Sequence, residues 1–124
     1  MYDSLPGDMK AMSSQMRDLA EEGALDEVKQ AELAVVYKHS PICPVSWSAK
    51  REVKRFLEQN ADASVYLVNV VQDRALSRQL ADDLGVRHES PQAILMQSGN
   101  VVRHASHHEI TAQLLEAWVS EAVG

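Results

Sequence analysis

Cysteine is nearly absent from this chain: Cys43 is the only one among 124 residues. A lone thiol cannot close an internal disulfide, so a reducing compartment, the cytoplasm, is the expected setting and any disulfide chemistry must be intermolecular. Long apolar runs are missing as well. No stretch approaches the roughly 18 consecutive apolar residues of a membrane span, and Met1 to Lys10 lacks the basic-then-apolar order of a signal peptide. Positive charge is in deficit, with 12 Lys and Arg against 18 Asp and Glu and a net charge of −6, which argues against nonspecific nucleic-acid binding. The five histidines, His39, His88, His104, His107 and His108, are spread over separate segments with no His-Glu-x-x-His pattern and one thiol to help them. No metal site is therefore expected. Internal repeats and low-complexity tracts are lacking too.

What is present fits one domain with one core, since the length leaves no room for a second. Residues 1–16, with Pro6-Gly7 and a weak helical spacing of Met9, Met12 and Met16, form an arm or short helix ahead of a domain at 17–124. Arg17 to Leu19 reads as a short edge strand, and Leu25 to Gln30 as a helical turn or two beyond Gly23. Leu33 to Tyr37 is apolar without alternation, as expected of a strand covered on both faces. A helix is predicted over Val45 to Leu57, with Ala49, Val53, Phe56 and Leu57 on one stripe and Lys50, Arg51, Lys54, Arg55 and Glu58 opposite. Lys38 and His39 are expected to add to that basic face.

Val65 to Val71 reads as a second buried strand. Asp73 offers an N-cap to a helix marked by Leu76, Leu80 and Leu84 and stopped at Gly85. This β-α-β-α order implies a parallel sheet. After Ser90-Pro91, strands at Ala93 to Gln97 and Asn100 to Arg103 flank Ser98-Gly99, a hairpin signal that makes the sheet mixed. Ser106-His107-His108-Glu109 has capping-box spacing and is expected to open the last helix, whose face is traced by Ile110, Leu114, Ala117 or Trp118, and Glu121 or Ala122.

The chemistry concentrates in Lys38-His39-Ser40-Pro41-Ile42-Cys43-Pro44-Val45-Ser46, between the first buried strand and the helix that follows. A helix start leaves N–H groups unpaired and carries partial positive charge, so it stabilises a thiolate over the thiol. Pro44 suits the first helical turn, where its missing N–H has no partner to lose. Ser46 stands three residues after Cys43, either as a hydroxyl donor to the thiolate or as a solvated first-turn residue. His39 is a candidate electrostatic support. Trp47 falls off the buried stripe, so it is either exposed beside the thiol as a client contact or covered by the N-terminal arm.

The element order and these motifs together resemble a known family. Tyr37-Lys38-His39-Ser40 followed by Cys43-Pro44-Val45-Ser46, His88-Glu89-Ser90-Pro91-Gln92 before the hairpin, and Ser106-His107 near the last helix are similar to the YtxJ-type monothiol bacilliredoxins of bacteria that use bacillithiol. The likeness runs from Arg17 to Val119. It implies an α/β, thioredoxin-like fold: a central mixed sheet of four to five strands flanked by helices. It also implies a monothiol thiol–disulfide oxidoreductase that removes bacillithiol from protein mixed disulfides through the Cys43 thiolate. Pro44, Val45, Ser46 and His39 would support that thiolate. Pro41, Ile42, Trp47, Ser90 and Pro91 would meet the substrate, with a cis Ser90–Pro91 bond facing Cys43. No cofactor would be bound, bacillithiol would be the co-substrate, and the partners would be bacillithiolated client proteins and a low-molecular-weight thiol. The alternatives are a non-catalytic redox-sensing or client-binding module on the same fold, and monothiol exchange with another small thiol.

Overall fold

The computed structural model describes residues 16–123; of the expected arm, residues 1–15 lie outside them. Five strands form one sheet in the order β1-β3-β2-β4-β5: β1 Arg17–Asp18, β2 Leu33–His39, β3 Val65–Asn69, β4 Gln92–Gln97 and β5 Asn100–Ser106. β1 and β2 run parallel to β3, while β4 is antiparallel to both β2 and β5. Four helices flank the sheet: α1 Ala24–Gln30, α2 Pro44–Gln59, α3 Arg74–Leu84 and α4 Ala112–Val123. The mixed sheet expected from the β-α-β-α order and the hairpin is thus observed.

Alternation along the strands sorts their side chains into two cores. Val35, Tyr37, Val65, Ala93 and Leu95 meet the α2 stripe of Ala49, Val53, Phe56 and Leu57 together with Leu115 and Trp118 of α4. On the other face Ala34, Val36, Val68, Ile94 and Met96 meet Ala24 and Val28 of α1 and Leu80 of α3. Met16, placed with the arm by sequence, packs against the first of these cores.

Several boundaries move, each for a local reason. β2 continues through Lys38 and His39, because both pair with β3 and Lys38 also pairs with Gln92 of β4. The two residues are therefore buried, at 0% and 3% exposure, and do not join the basic face of α2 as expected. β3 stops at Asn69, two residues short of the expected end, because the Asn69 Oδ1 accepts the N–H groups of Val71 and Gln72 and turns the chain. The capping box at Ser106 forms, with the Ser106 N–H donating to the Glu109 carboxylate at 3.1 Å. It closes only a 3-10 turn, His107–Glu109, and not the last helix. Ile110 then takes an extended conformation and drops into the core. α4 begins afresh where Thr111 Oγ1 accepts the Leu114 N–H at 3.1 Å and Glu52 accepts the Ala112 N–H at 3.0 Å.

The β4–β5 turn needs positive φ at both central residues, Ser98 (51°) and Gly99 (82°). A Cβ on Gly99 would also stand 2.9 Å from the Lys29 carbonyl oxygen at the end of α1. Gly99→Ala is therefore expected to destabilise the fold by about 1–3 kcal/mol. Urea unfolding checks this, and a change within about 0.5 kcal/mol, the range of an indifferent surface substitution, would refute it.

Candidate active site

Cys43 sits at the C-terminal end of the parallel strands. It is the N-cap of α2, with extended backbone at φ −109° and ψ 120°. Its own N–H donates to the Ser40 carbonyl at 3.1 Å, and its carbonyl accepts the Ser46 N–H at 3.0 Å, which folds residues 40–46 into a turn feeding the helix. The thiol is partly exposed. Its pKa is held below the ordinary cysteine value, chiefly by the Ser46 N–H; partial burial opposes this, while the Val45 N–H and the Ser46 hydroxyl add to the lowering. No acidic residue occupies the first turn of α2 to compete for the same donors.

Ser46 is fully buried, so the reading of it as a solvated first-turn residue does not hold. Its Oγ accepts the Ser40 N–H at 3.2 Å, leaving the hydroxyl hydrogen free to point at the sulfur. Its carbonyl accepts a hydrogen bond from the Tyr37 phenol at 2.7 Å. Trp47 is 44% exposed, and its indole N–H donates to the Pro41 carbonyl at 2.8 Å, pinning the loop that carries Ile42. Ile42 is 81% exposed, and Val71 is exposed in the turn after β3. The Val70 N–H donates to the His39 carbonyl at 2.9 Å, which draws that turn up to the site.

His39 differs from its expected role. It lies in β2, with its Nδ1 3.0 Å from the Tyr37 hydroxyl and its ring edge-on to Trp47 at 4.8 Å between centroids. Burial, followed by the nearby Lys50 ammonium, lowers its pKa, with the Ser46 backbone opposing. The ring is therefore neutral at neutral pH and offers the sulfur no positive charge. The Lys50 ammonium lies over Trp47, 5.2 Å from the ring centroid.

On the opposite strand the Ser90–Pro91 peptide is cis. The register that pairs Lys38 with Gln92 sets Pro91 across from His39, at the same end of the sheet as Cys43. Pro91 is buried, its carbonyl accepts the His107 N–H at 2.9 Å, and Ser90 is partly exposed. Sequence reasoning missed the roles of Tyr37 and Lys38. The signal available for Tyr37 was the period of two, which puts Val35, Tyr37 and His39 on one face of β2 once the strand is extended. Among the described residues, no group of three or more His, Cys, Asp and Glu side chains is placed to hold a metal ion.

The arrangement is that of a single thiol held at a helix start, with its pKa lowered. A proposed oxidoreductase with a thioredoxin fold is 30% identical, with a TM-score of 0.76 over 88% of this chain and 94% of its own. A thioredoxin variant from Halobacterium salinarum is 19% identical, with a TM-score of 0.72 over 90% of this chain and 94% of its own. Thioredoxin from Trypanosoma brucei brucei gives the same score at 12% identity, covering 90% and 93%. The last two speak for the fold alone. Residues 14–115 match the family described as monothiol bacilliredoxin BrxC, which supports a thiol redox role for the protein. The chain is a thioredoxin-fold member of the monothiol bacilliredoxin BrxC family.

Proposed function

We propose that the protein is a monothiol thiol–disulfide oxidoreductase that removes bacillithiol from protein mixed disulfides, with Cys43 as the nucleophile. The observation that carries this reading is one partly exposed thiol at the N-cap of α2, its pKa lowered by the neighbouring peptide and hydroxyl groups, with a serine at the third position beyond. The Cys43 thiolate attacks the bacillithiol sulfur of the client mixed disulfide. The S–S bond breaks, the client leaves as its thiolate, and Cys43 becomes bacillithiolated. Because Ser46 cannot attack that new disulfide, a second small thiol must. Its thiolate attacks the bacillithiol sulfur, releasing the Cys43 thiolate and a small-molecule disulfide. Client thiol and oxidised small thiol balance the electrons, and no cofactor takes part.

Pro41, Ile42 and Trp47 on one side and Ser90 and Pro91 on the other would frame the client disulfide. The Ser90 backbone would pair with the client chain as an added strand. The setting that suits this chemistry is the bacterial cytoplasm, with bacillithiol as co-substrate and bacillithiolated proteins as clients. No helix among the described residues is long and apolar enough to cross a membrane.

Exposure to oxidised bacillithiol is expected to add one bacillithiol mass to the intact protein and none to Cys43→Ala. A bacillithiolated client should be cleared over many cycles when free bacillithiol is supplied. Failure to form the adduct, under conditions that modify free cysteine, would end the proposal. An adduct without repeated turnover would identify a sensor instead.

A further inference from the structure

Two polar side chains on the α2 face of β2, Tyr37 and His39, are buried to 0% and 3% exposure beside an apolar core. A phenol and an imidazole in such a place destabilise the fold unless they are hydrogen-bonded. The Tyr37 hydroxyl has one hydrogen, and it goes to the Ser46 carbonyl at 2.7 Å. Its contact with His39 Nδ1 at 3.0 Å must then be made by the imidazole donating. This assigns the proton to Nδ1 and leaves Nε2 bare, and Nε2 is indeed buried without a partner among the described residues. A directed chain results: His39 Nδ1–H to the Tyr37 hydroxyl, then Tyr37 O–H to the Ser46 carbonyl.

We infer that Tyr37 and His39 are positioning residues for Cys43, acting through Ser46. Ser46, whose N–H donates to the Cys43 carbonyl at 3.0 Å, is the residue whose backbone and hydroxyl lower the Cys43 pKa, and it is held on two sides. Tyr37 fixes its carbonyl, and the Ser40 N–H occupies a lone pair of its Oγ. The first turn of α2 is thereby braced against the sheet at the point where it meets the thiolate. Trp47 closes the brace from outside, edge-on to His39 and bonded to the Pro41 carbonyl. The charged or ionisable groups facing the pair from α2 and its loop are Lys50 and Cys43 itself. Burial, and then the Cys43 charge, push the Tyr37 phenol above its ordinary pKa, so it remains a donor when the thiolate forms.

The test reads ionisation of the sulfur, so it stands or falls independently of which disulfide the protein exchanges. Cys43 alkylation by iodoacetamide is followed across pH in the wild type, Tyr37→Phe, His39→Asn and His39→Leu. Tyr37→Phe keeps the ring but drops both bonds; its rate at about pH 7 is expected to fall roughly three- to tenfold and to rejoin the wild type at about pH 10, where the thiol is fully ionised. His39→Asn places an amide N–H where Nδ1–H was and should keep the wild-type midpoint, whereas His39→Leu should move it in the direction of Tyr37→Phe. If Tyr37→Phe fails to fold, the two His39 variants decide the matter by themselves. Superimposable profiles for Tyr37→Phe and wild type, or His39→Asn displaced as far as His39→Leu, would overturn the inference.

Discussion

Ser46→Cys is expected to turn a persistent mixed disulfide on Cys43 into an internal disulfide between Cys43 and the thiol introduced at position 46. The wild type, once bacillithiolated, waits for an external thiol. The variant carries its resolving thiol one helical turn away, at the residue whose hydroxyl and N–H lower the Cys43 pKa. An intramolecular attack replaces encounter with a thiol at millimolar concentration, so the adduct lifetime should shorten by roughly 100-fold or more if the geometry is near attack. Intact mass spectrometry after a pulse of oxidised bacillithiol would show the bacillithiol adduct in the wild type and a loss of two hydrogens in the variant. A long-lived adduct on the variant would mean that residue 46 does not reach the sulfur, and the account of Ser46 as its donor would fall with it. The substitution also loses the oxygen that accepts the Ser40 N–H, which is expected to lower stability by about 1–3 kcal/mol.

The largest stability effect is expected at Lys38. Its side chain is fully buried on the α1 and α3 side of the sheet, its Nζ has no hydrogen-bond partner among the described residues, and burial lowers its pKa to about 8 from 10.5 despite the counteracting Glu89 carboxylate. Gln92, directly across the β2–β4 ladder, has an Oε1 that is likewise buried and unpartnered among the described residues. The sign follows from proton linkage. Below about 8 the amine is charged in both folded and unfolded chains, so the penalty of burying the charge is present in full. Between about 8 and 10.5 the unfolded chain holds a proton that the folded one has released, so stability rises with pH across that window. Lys38→Met fills the same space without charge. It is expected to add about 2–3 kcal/mol of stability near neutral pH and to abolish that rise. The Cys43 shift adds a second gain with rising pH, common to both proteins, which the difference between their urea curves removes. A variant less stable than the wild type near neutral pH would show that the lysine has a favourable partner.

How much of this was legible beforehand depended on the range of the interaction concerned. The α2 stripe of Ala49, Val53, Phe56 and Leu57, the Gly85 stop and the Ser98-Gly99 turn are short-range matters of period and backbone preference, and all of them appear in the fold. The end of β2 was not readable, because Lys38 and His39 look like loop residues until β3 and β4 pair with them. The capping box was read correctly but attached to the wrong element, since only the core position of Ile110 breaks the chain before α4. In the site, Cys43 and its place at a helix start were readable from Pro44 and the helical spacing beyond. The exposure of Trp47 and the burial of Ser46 each had two readings until neighbouring elements were in place.

By itself the order of residues determined that one thiol would stand where a buried strand gives way to a helix, with no second cysteine to relieve it. Those are covalent facts and local backbone preferences, carried by residues within a turn of each other. Tertiary structure alone decided what surrounds that sulfur: a tyrosine and a neutral histidine bracing Ser46, a lysine folded over Trp47, and an amine sealed behind the sheet. Each of these depends on which strands lie side by side and which face each side chain takes, and a shift of one residue in register exchanges the faces.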